Sequence, residues 1–251
     1  MNFIHFILAG LFLPLFPFSM VLNMLYVRLR SPLLRSLLLL IWPQIGLIIV
    51  FSYDLSVPFW VLAWALATSF LYALRIVALR ELGLWTSFVA TSSWALLWVL
   101  QGNAIAQQQL QLYALGICVP LIMMNLLCTG LERRFGAAYM GLYGGLAQAL
   151  PRYSSILVLV VLAIVATPLF PMFFAMLSMI LKAIPTTPAV AVVVGAVWLL
   201  WSWAGSRLLQ GLIVGPVRMT APDLSYASLW MYIISLGGLL VGGVYWSELM
   251  V

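Results

Sequence analysis

The chain has 251 residues and a mass of 27.8 kDa, with 66% hydrophobic and only 6% charged residues. A soluble domain carries roughly 45–50% apolar and about 25% charged residues, so a water-soluble enzyme is excluded, and so is a disordered tail, which needs low hydrophobicity and high charge. The formal net charge of +6 comes from basic residues scattered in ones to threes between apolar runs, a pattern of membrane topology rather than of nucleic-acid binding.

Apolar stretches able to cross a hydrocarbon core, which takes about 20 helical residues, fall at roughly 3–24, 36–53, 57–74, 82–100, 109–129, 155–181, 189–208 and 228–247. The first lacks the basic start and small-residue cleavage pattern of a signal peptide and is expected to stay as a membrane helix. Pro43 interrupts the second, LLLLIWPQIGLIIVF. The fourth carries TSFVATSS at 86–93, a hydroxylated face that includes Ser92 and Ser93. Such a face serves helix–helix packing, or alternatively a wet path. Gln44, Asn125, Ser178, Ser202 and Ser206 are further neutral polar groups inside spans. The sixth stretch is too long for one straight helix and holds Pro168 and Pro171, which predicts a break near 166–172.

All ten arginines fall in alternate connections of this eight-span arrangement, leaving Asp54, Lys182 and Glu248 on the other side. The expected topology has the arginines in the cytoplasm and both termini outside, in a bacterial inner membrane. The connection at 130–154 is an interfacial segment rather than a domain. Trp and Tyr near predicted ends, such as Tyr26, Tyr53, Tyr153 and Tyr226, suit interface anchors.

Chemistry-bearing residues are few. Cys118 and Cys128 sit in an apolar run that does not favour a thiolate, and His5 has no acid beside it in sequence. No P-loop, dinucleotide fingerprint, zinc spacing or nucleophile elbow occurs. No cofactor, metal or catalytic residue is expected. Ion-translocating helices normally bury a Lys, Glu, Asp or His near mid-membrane, and none is placed there. Arg80 and Glu81 flank the start of the fourth span and Lys182 the outer end of the sixth. They read as interfacial anchors, or alternatively as points of ion access or partner contact.

Several segments nevertheless resemble the proton-conducting membrane transporter family: antiporter-like subunits of NADH-quinone oxidoreductase, of multisubunit Na⁺/H⁺ antiporters and of inorganic-carbon accumulation complexes. LPLFPFSMVLNML is similar to the family's P-L-F-P-F segment, and FLYALRIVALRELGLWTSFVATSS to the helix entered from a cytoplasmic lysine. GLYGGLAQALPRYSS resembles the Y-G-G-L motif ahead of the family's broken helix, ATPLFPMFFAML the break itself, and VVGAVWLLWSWAGSRLLQGLIVGP the helix after it. The order of matches implies helices seven to fourteen of a fourteen-helix subunit, an all-α polytopic membrane protein of about eight crossings.

The departures fall on the relay positions. The resemblance implies lysines where this chain has Phe12 and one of Leu40, Ile41 or Trp42. It implies a glutamate at Met176 and a histidine at Thr91, Ser92 or Ser93. The cytoplasmic lysine is matched in kind by Arg80, which cannot release its proton at neutral pH. The glutamate–lysine pair of the family's first half has no counterpart here. The reading that follows is a truncated antiporter-like subunit, a scaffold or partial-path component of a larger ion-translocating complex, not proton-conducting alone. Its expected partners are lipid and other membrane subunits, including a full-length antiporter-like subunit or a large soluble subunit. Alternatives are a component of an inorganic-carbon uptake complex, and an independent transporter of a neutral or hydrophobic solute.

Overall fold

The computed structural model describes residues 3–55, 57–102, 106–142, 144–216 and 221–250. They form α1 (Phe3–Phe12), α2 (Ser19–Arg28), α3 (Pro32–Ser52), α4 (Phe59–Ala78), α5 (Leu82–Ala95), α6 (Leu97–Gly102), α7 (Gln107–Phe135), α8 (Leu146–Ala149), α9 (Pro151–Ile164), α10 (Pro171–Ala183), α11 (Pro188–Ile213) and α12 (Tyr226–Met250). Six stretches are long and apolar enough to cross a membrane: α3, α4, the nearly continuous α5–α6, α7, α11 and α12. Pro43 and Pro120 lie inside α3 and α7, which run on through them. Of a membrane-length window in α5–α6, 94% is buried, against 22% in α12. The hydroxyl-rich helix is therefore the axis of the bundle.

Two helices are broken. The expected break in the sixth span is present: α9 ends at Ile164 and α10 begins at Pro171, with Ala166 at φ 57° and Leu169 at φ 85° between them. The first span, expected as one helix over 3–24, is instead divided into α1 and α2 around Pro14 and Pro17. A proline lacks the N–H of the i→i−4 ladder and its ring crowds the preceding turn. Both breaks carry the same tetrapeptide, Pro-Leu-Phe-Pro, at 14–17 and 168–171.

Unwound backbone at membrane depth must find partners within the protein. At the first break three indoles supply them. Trp42 Nε1 donates to the Leu11 carbonyl (3.2 Å), Trp98 Nε1 to Leu13 (3.0 Å) and Trp64 Nε1 to Phe16 (2.6 Å), while the Phe16 N–H reaches Thr68 Oγ1 (3.1 Å). At the second, Trp198 Nε1 donates to Val165 (3.0 Å) and Thr167 Oγ1 to Leu162 (2.9 Å). The next long helix, α3 for the first break and α11 for the second, approaches it at a glycine. A Cβ on Gly46 would lie 2.8 Å from Leu13 Cγ, and one on Gly205 2.7 Å from Val165 Cγ1.

The arginines among the described residues gather at one end of the bundle; Arg218 lies outside the described residues. Arg207 donates to the Val77 carbonyl (2.8 Å), Arg134 to that of Pro222 (2.8 Å), and Arg35 lies 3.8 Å from Glu132. Asp223 caps α9 from the loop before α12. Its carboxylate accepts the backbone N–H groups of Arg152 (2.9 Å) and Tyr153 (3.1 Å). The segment after α7 turns at Gly136 (φ 80°) and folds back across this end.

Candidate functional site

The sequence-predicted residues do not converge on one site. Ser92 and Ser93 are buried on the axial helix, whereas Arg80 is exposed at the arginine end. Arg80 contributes backbone there: its carbonyl accepts the Met140 N–H (2.8 Å), and Leu82 N–H donates to Ala138 (3.0 Å). Glu81 pairs with Tyr139 in this short bridge and accepts a hydrogen bond from its hydroxyl (3.4 Å). These contacts pin the interfacial segment against the start of α5. Lys182 is exposed at the opposite end, beside Thr186 and Val57. Pro168 is exposed and Pro171 buried at the second break.

The polar interior runs along α5. Asn23, from α2, is its hub: Oδ1 accepts from Ser87 (2.5 Å) and Thr91 (3.2 Å), and Nδ2 donates to the Ser19 carbonyl (3.0 Å) and Tyr72 hydroxyl (3.2 Å). One turn on, Ser92 Oγ donates to the Ser69 carbonyl (2.8 Å), lies 3.1 Å from Ser69 Oγ and accepts from Trp201 Nε1 (3.0 Å). Ser93 bonds back to Ala90 (3.0 Å). Toward the arginine end, Tyr26 donates to Asn125 Oδ1 (2.9 Å), and Asn125 Nδ2 donates to Ser36 (3.0 Å) and Pro32 (3.1 Å). Every member of this chain is neutral.

Sequence reading missed Ser19, Asn23, Thr68 and Ser69. The available signal was Asn23, an amide that is expensive in an apolar helix unless paired. Ser206 lies within the long helix α11, exposed on its surface, and bonds back to Ser202 (2.9 Å). Gln44 is placed inside, with Nε2 buried and unpartnered among the described residues. A void of about 10 Å³ borders Ser93, Ile117 and Ala163, room for about one water molecule.

Phe12, at one position where the family resemblance implies a lysine, packs against Trp42, one of the three candidates for the other, with tilted rings 4.8 Å apart at 50°. Met176, at the implied glutamate, is completely buried in α10. Among the described residues, no three His, Cys, Asp or Glu side chains group as metal ligands would.

This arrangement of two broken helices around an axial one has solved counterparts. A chain of respiratory complex I from Thermus thermophilus superposes at TM-score 0.83 with 19% identity, covering 94% of this chain and 53% of that one. A chain of the Mrp complex from Dietzia sp. DQ12-45-1b gives 0.83 and 16%, over 96% and 55%. The chain has the fold of about half of each of these membrane-complex chains, consistent with part of the antiporter-like fold. A chain of the membrane-bound sulfane sulfur reductase, an archaeal respiratory membrane complex, also shares that fold, at TM-score 0.76 and 15% identity over 96% and 52%. The present chain thus spans about half the length of the solved chains it matches. No family model matches the sequence, and no curated protein matches it either.

Proposed function

We propose that this chain is a membrane subunit of a hetero-oligomeric ion-translocating complex, in which it provides packing surface and at most one wall of an ion path, without conducting protons alone. The observation that carries the proposal is the Phe12–Trp42 contact, an aromatic pair at one position where related subunits are expected to hold a lysine and at one of the three candidates, Leu40, Ile41 and Trp42, for the other. A coupled path needs a group whose charge changes with conformation. The axial network of Asn23, Ser87, Thr91 and Ser92 offers only amide and hydroxyl groups, satisfied by neutral partners that include Ser19, Ser69, Tyr72 and Trp201.

The first break supports a docking role. Phe16 is 37% exposed with Pro17 beside it, and α2 continues the surface with Met20, Met24 and Val27. Irregular backbone at membrane depth is tolerated where protein covers it, so this face suits the helices of a partner subunit. The gathered arginines favour a cytoplasmic position for their end, with eight crossings and both termini outside. Reporter fusions after Arg35 and Arg152 are expected to read cytoplasm, and one at Gly102 the opposite side.

The deciding experiment places the purified chain in sealed vesicles with a pH-sensitive dye, with and without its co-purifying partners. The proposal expects flux only in the assembled complex, insensitive to Lys182→Ala. Saturable, cation-dependent proton flux from the chain alone, abolished by Lys182→Ala or Arg80→Ala, overturns it.

A further inference from the structure

A groove of about 710 Å³ opens at the arginine end between α7, α12 and the start of α3. Its α7 wall is Leu126, Thr129, Gly130 and Arg133, a single i, i+3, i+4, i+7 stripe, with Arg134 beside it. From Arg133 to Leu126 this stripe descends about 10 Å along the helix at 1.5 Å per residue. The α12 wall descends in the same sense, from Ser228 near the helix start to Met231 and Tyr232 one turn deeper. Leu33, 70% exposed, flanks the groove from α3. Guanidinium and hydroxyl groups thus line the mouth, and apolar side chains line the depth.

The charge at the mouth lacks a carboxylate partner. Glu132 is engaged by Arg35, and both Asp223 oxygens accept backbone N–H groups. Arg133 makes no ion pair among the described residues. Arg134 is held by neutral groups only: Nη1 donates to the Gly130 carbonyl (3.0 Å), Nε to Pro222 (2.8 Å), and its guanidinium lies 5.8 Å from the Tyr153 ring centre. A Cβ on residue 130 would lie 3.0 Å from Arg134 Nη1, so the glycine gives the arginine room to fold back. One guanidinium is fixed in place and the other is free to close on a ligand.

We propose that this groove binds an anionic phospholipid, its phosphodiester between Arg133 and Arg134 and an acyl chain along Leu126, Leu33 and Met231. A soluble anion would use the mouth and leave the apolar depth unfilled. A zwitterionic lipid would bring a choline cation to an already cationic mouth. Basic pockets between helices at the membrane surface recognise anionic headgroups by this combination.

The test uses the full chain purified in detergent, with dioleoyl-phosphatidylglycerol or dioleoyl-phosphatidylcholine in mixed micelles, and native mass spectrometry to count retained lipid. The wild type is expected to retain phosphatidylglycerol selectively, and R133Q to retain about fivefold less. R80Q, an exposed arginine at the same end, is expected to match the wild type. Arg134 also braces structure, so R133Q is the deciding variant, and its lipid-free melting midpoint is expected to be unchanged. Equal retention of the two lipids, or full retention by R133Q, overturns the proposal. Displacement by millimolar inorganic phosphate assigns the mouth to a soluble anion and overturns it too. So does loss of a co-purifying protein in R133Q while lipid retention stays constant.

Discussion

The two broken helices carry the same four residues and solve the same problem by different means. Leu11 and Val165 stand at the same offset before their Pro-Leu-Phe-Pro segments, and each offers its carbonyl to an indole from the next long helix, Trp42 or Trp198. Beyond that the breaks diverge. The first adds Trp64, Trp98 and Thr68, so helices α4 and α6 are bonded into it. The second leans on its own Thr167 and on α12, whose Gly243 sits against the Leu169 carbonyl while the Leu169 side chain projects outward. The tetrapeptide specifies where a helix stops; the neighbours specify how the freed backbone is satisfied.

The sharpest way to break the comparison is at Gly243. A Cβ there would collide with the Leu169 carbonyl oxygen, and backbone cannot rotate away as a side chain can. Gly243→Leu is expected to lower stability by about 3 kcal/mol, the upper range for overpacking, read as a fall in the detergent melting midpoint. Gly46→Leu meets mainly the Leu13 side chain at the first break and is expected to cost about 2 kcal/mol. The reverse order would show that the second break does not depend on α12.

Removing one indole from each break comes next. Trp198→Phe deprives Val165 of its donor at a break with no other indole hydrogen bond among the described residues, and is expected to cost about 2 kcal/mol. Trp42→Phe leaves Trp64 and Trp98 in place and keeps an aromatic ring against Phe12, so about 1 kcal/mol is expected. Equal losses would mean that the extra caps of the first break confer no redundancy.

What sequence could reveal follows from the physics of each signal. Hydropathy marks membrane-length helices because the bilayer core has a fixed thickness, and Pro168 with Pro171 marks a break because proline is locally incompatible with a helix. Pro14 and Pro17 carried the same signal, hidden because 3–24 has the length of one ordinary span; the repeat of the tetrapeptide was the clue. The hydroxyl face at 86–93 was legible, but its partners Ser19, Asn23 and Ser69 were not, since pairing across about 20 to 70 residues depends on packing. Likewise Phe12 and Trp42 could be named as replacements, yet their contact exists only in three dimensions. The cap from Asp223 to α9 spans some seventy residues and leaves no local trace.

A third test asks how the second break is tied to the bundle axis. Trp201 lies one turn beyond Trp198 on α11 and donates to Ser92, which in turn donates to Ser69 on α4. Ser92→Ala leaves a buried indole N–H without its acceptor, a loss of about 1.5 kcal/mol. Ser93→Ala loses only a bond within its own helix and is expected to be nearly neutral. Melting midpoints of the two variants separate packing function from mere polarity.

A small effect is expected at the cap of α9, which still separates the two breaks. Asp223 accepts three backbone N–H groups: Arg152 at Oδ2, and Tyr153 (3.1 Å) and Leu224 (2.7 Å) at Oδ1. Arg152 and Tyr153 open α9, where the backbone donors have no intrahelical acceptors and the helix dipole favours negative charge. An asparagine keeps one acceptor oxygen but turns an amide N–H₂ toward the other site and removes the charge. Asp223→Asn is therefore expected to cost about 1 kcal/mol. Because α9 leads into the second break and α2 does not touch this cap, hydrogen exchange should quicken at the first turn of α9 and stay unchanged across α1 and α2. Quickening that spreads through Val165 and Phe170 would show that the cap and the break unfold as one unit. Quickening confined to residues 152–154 would show that the break is held independently of the cap, by Thr167, Trp198 and the approach of Gly243.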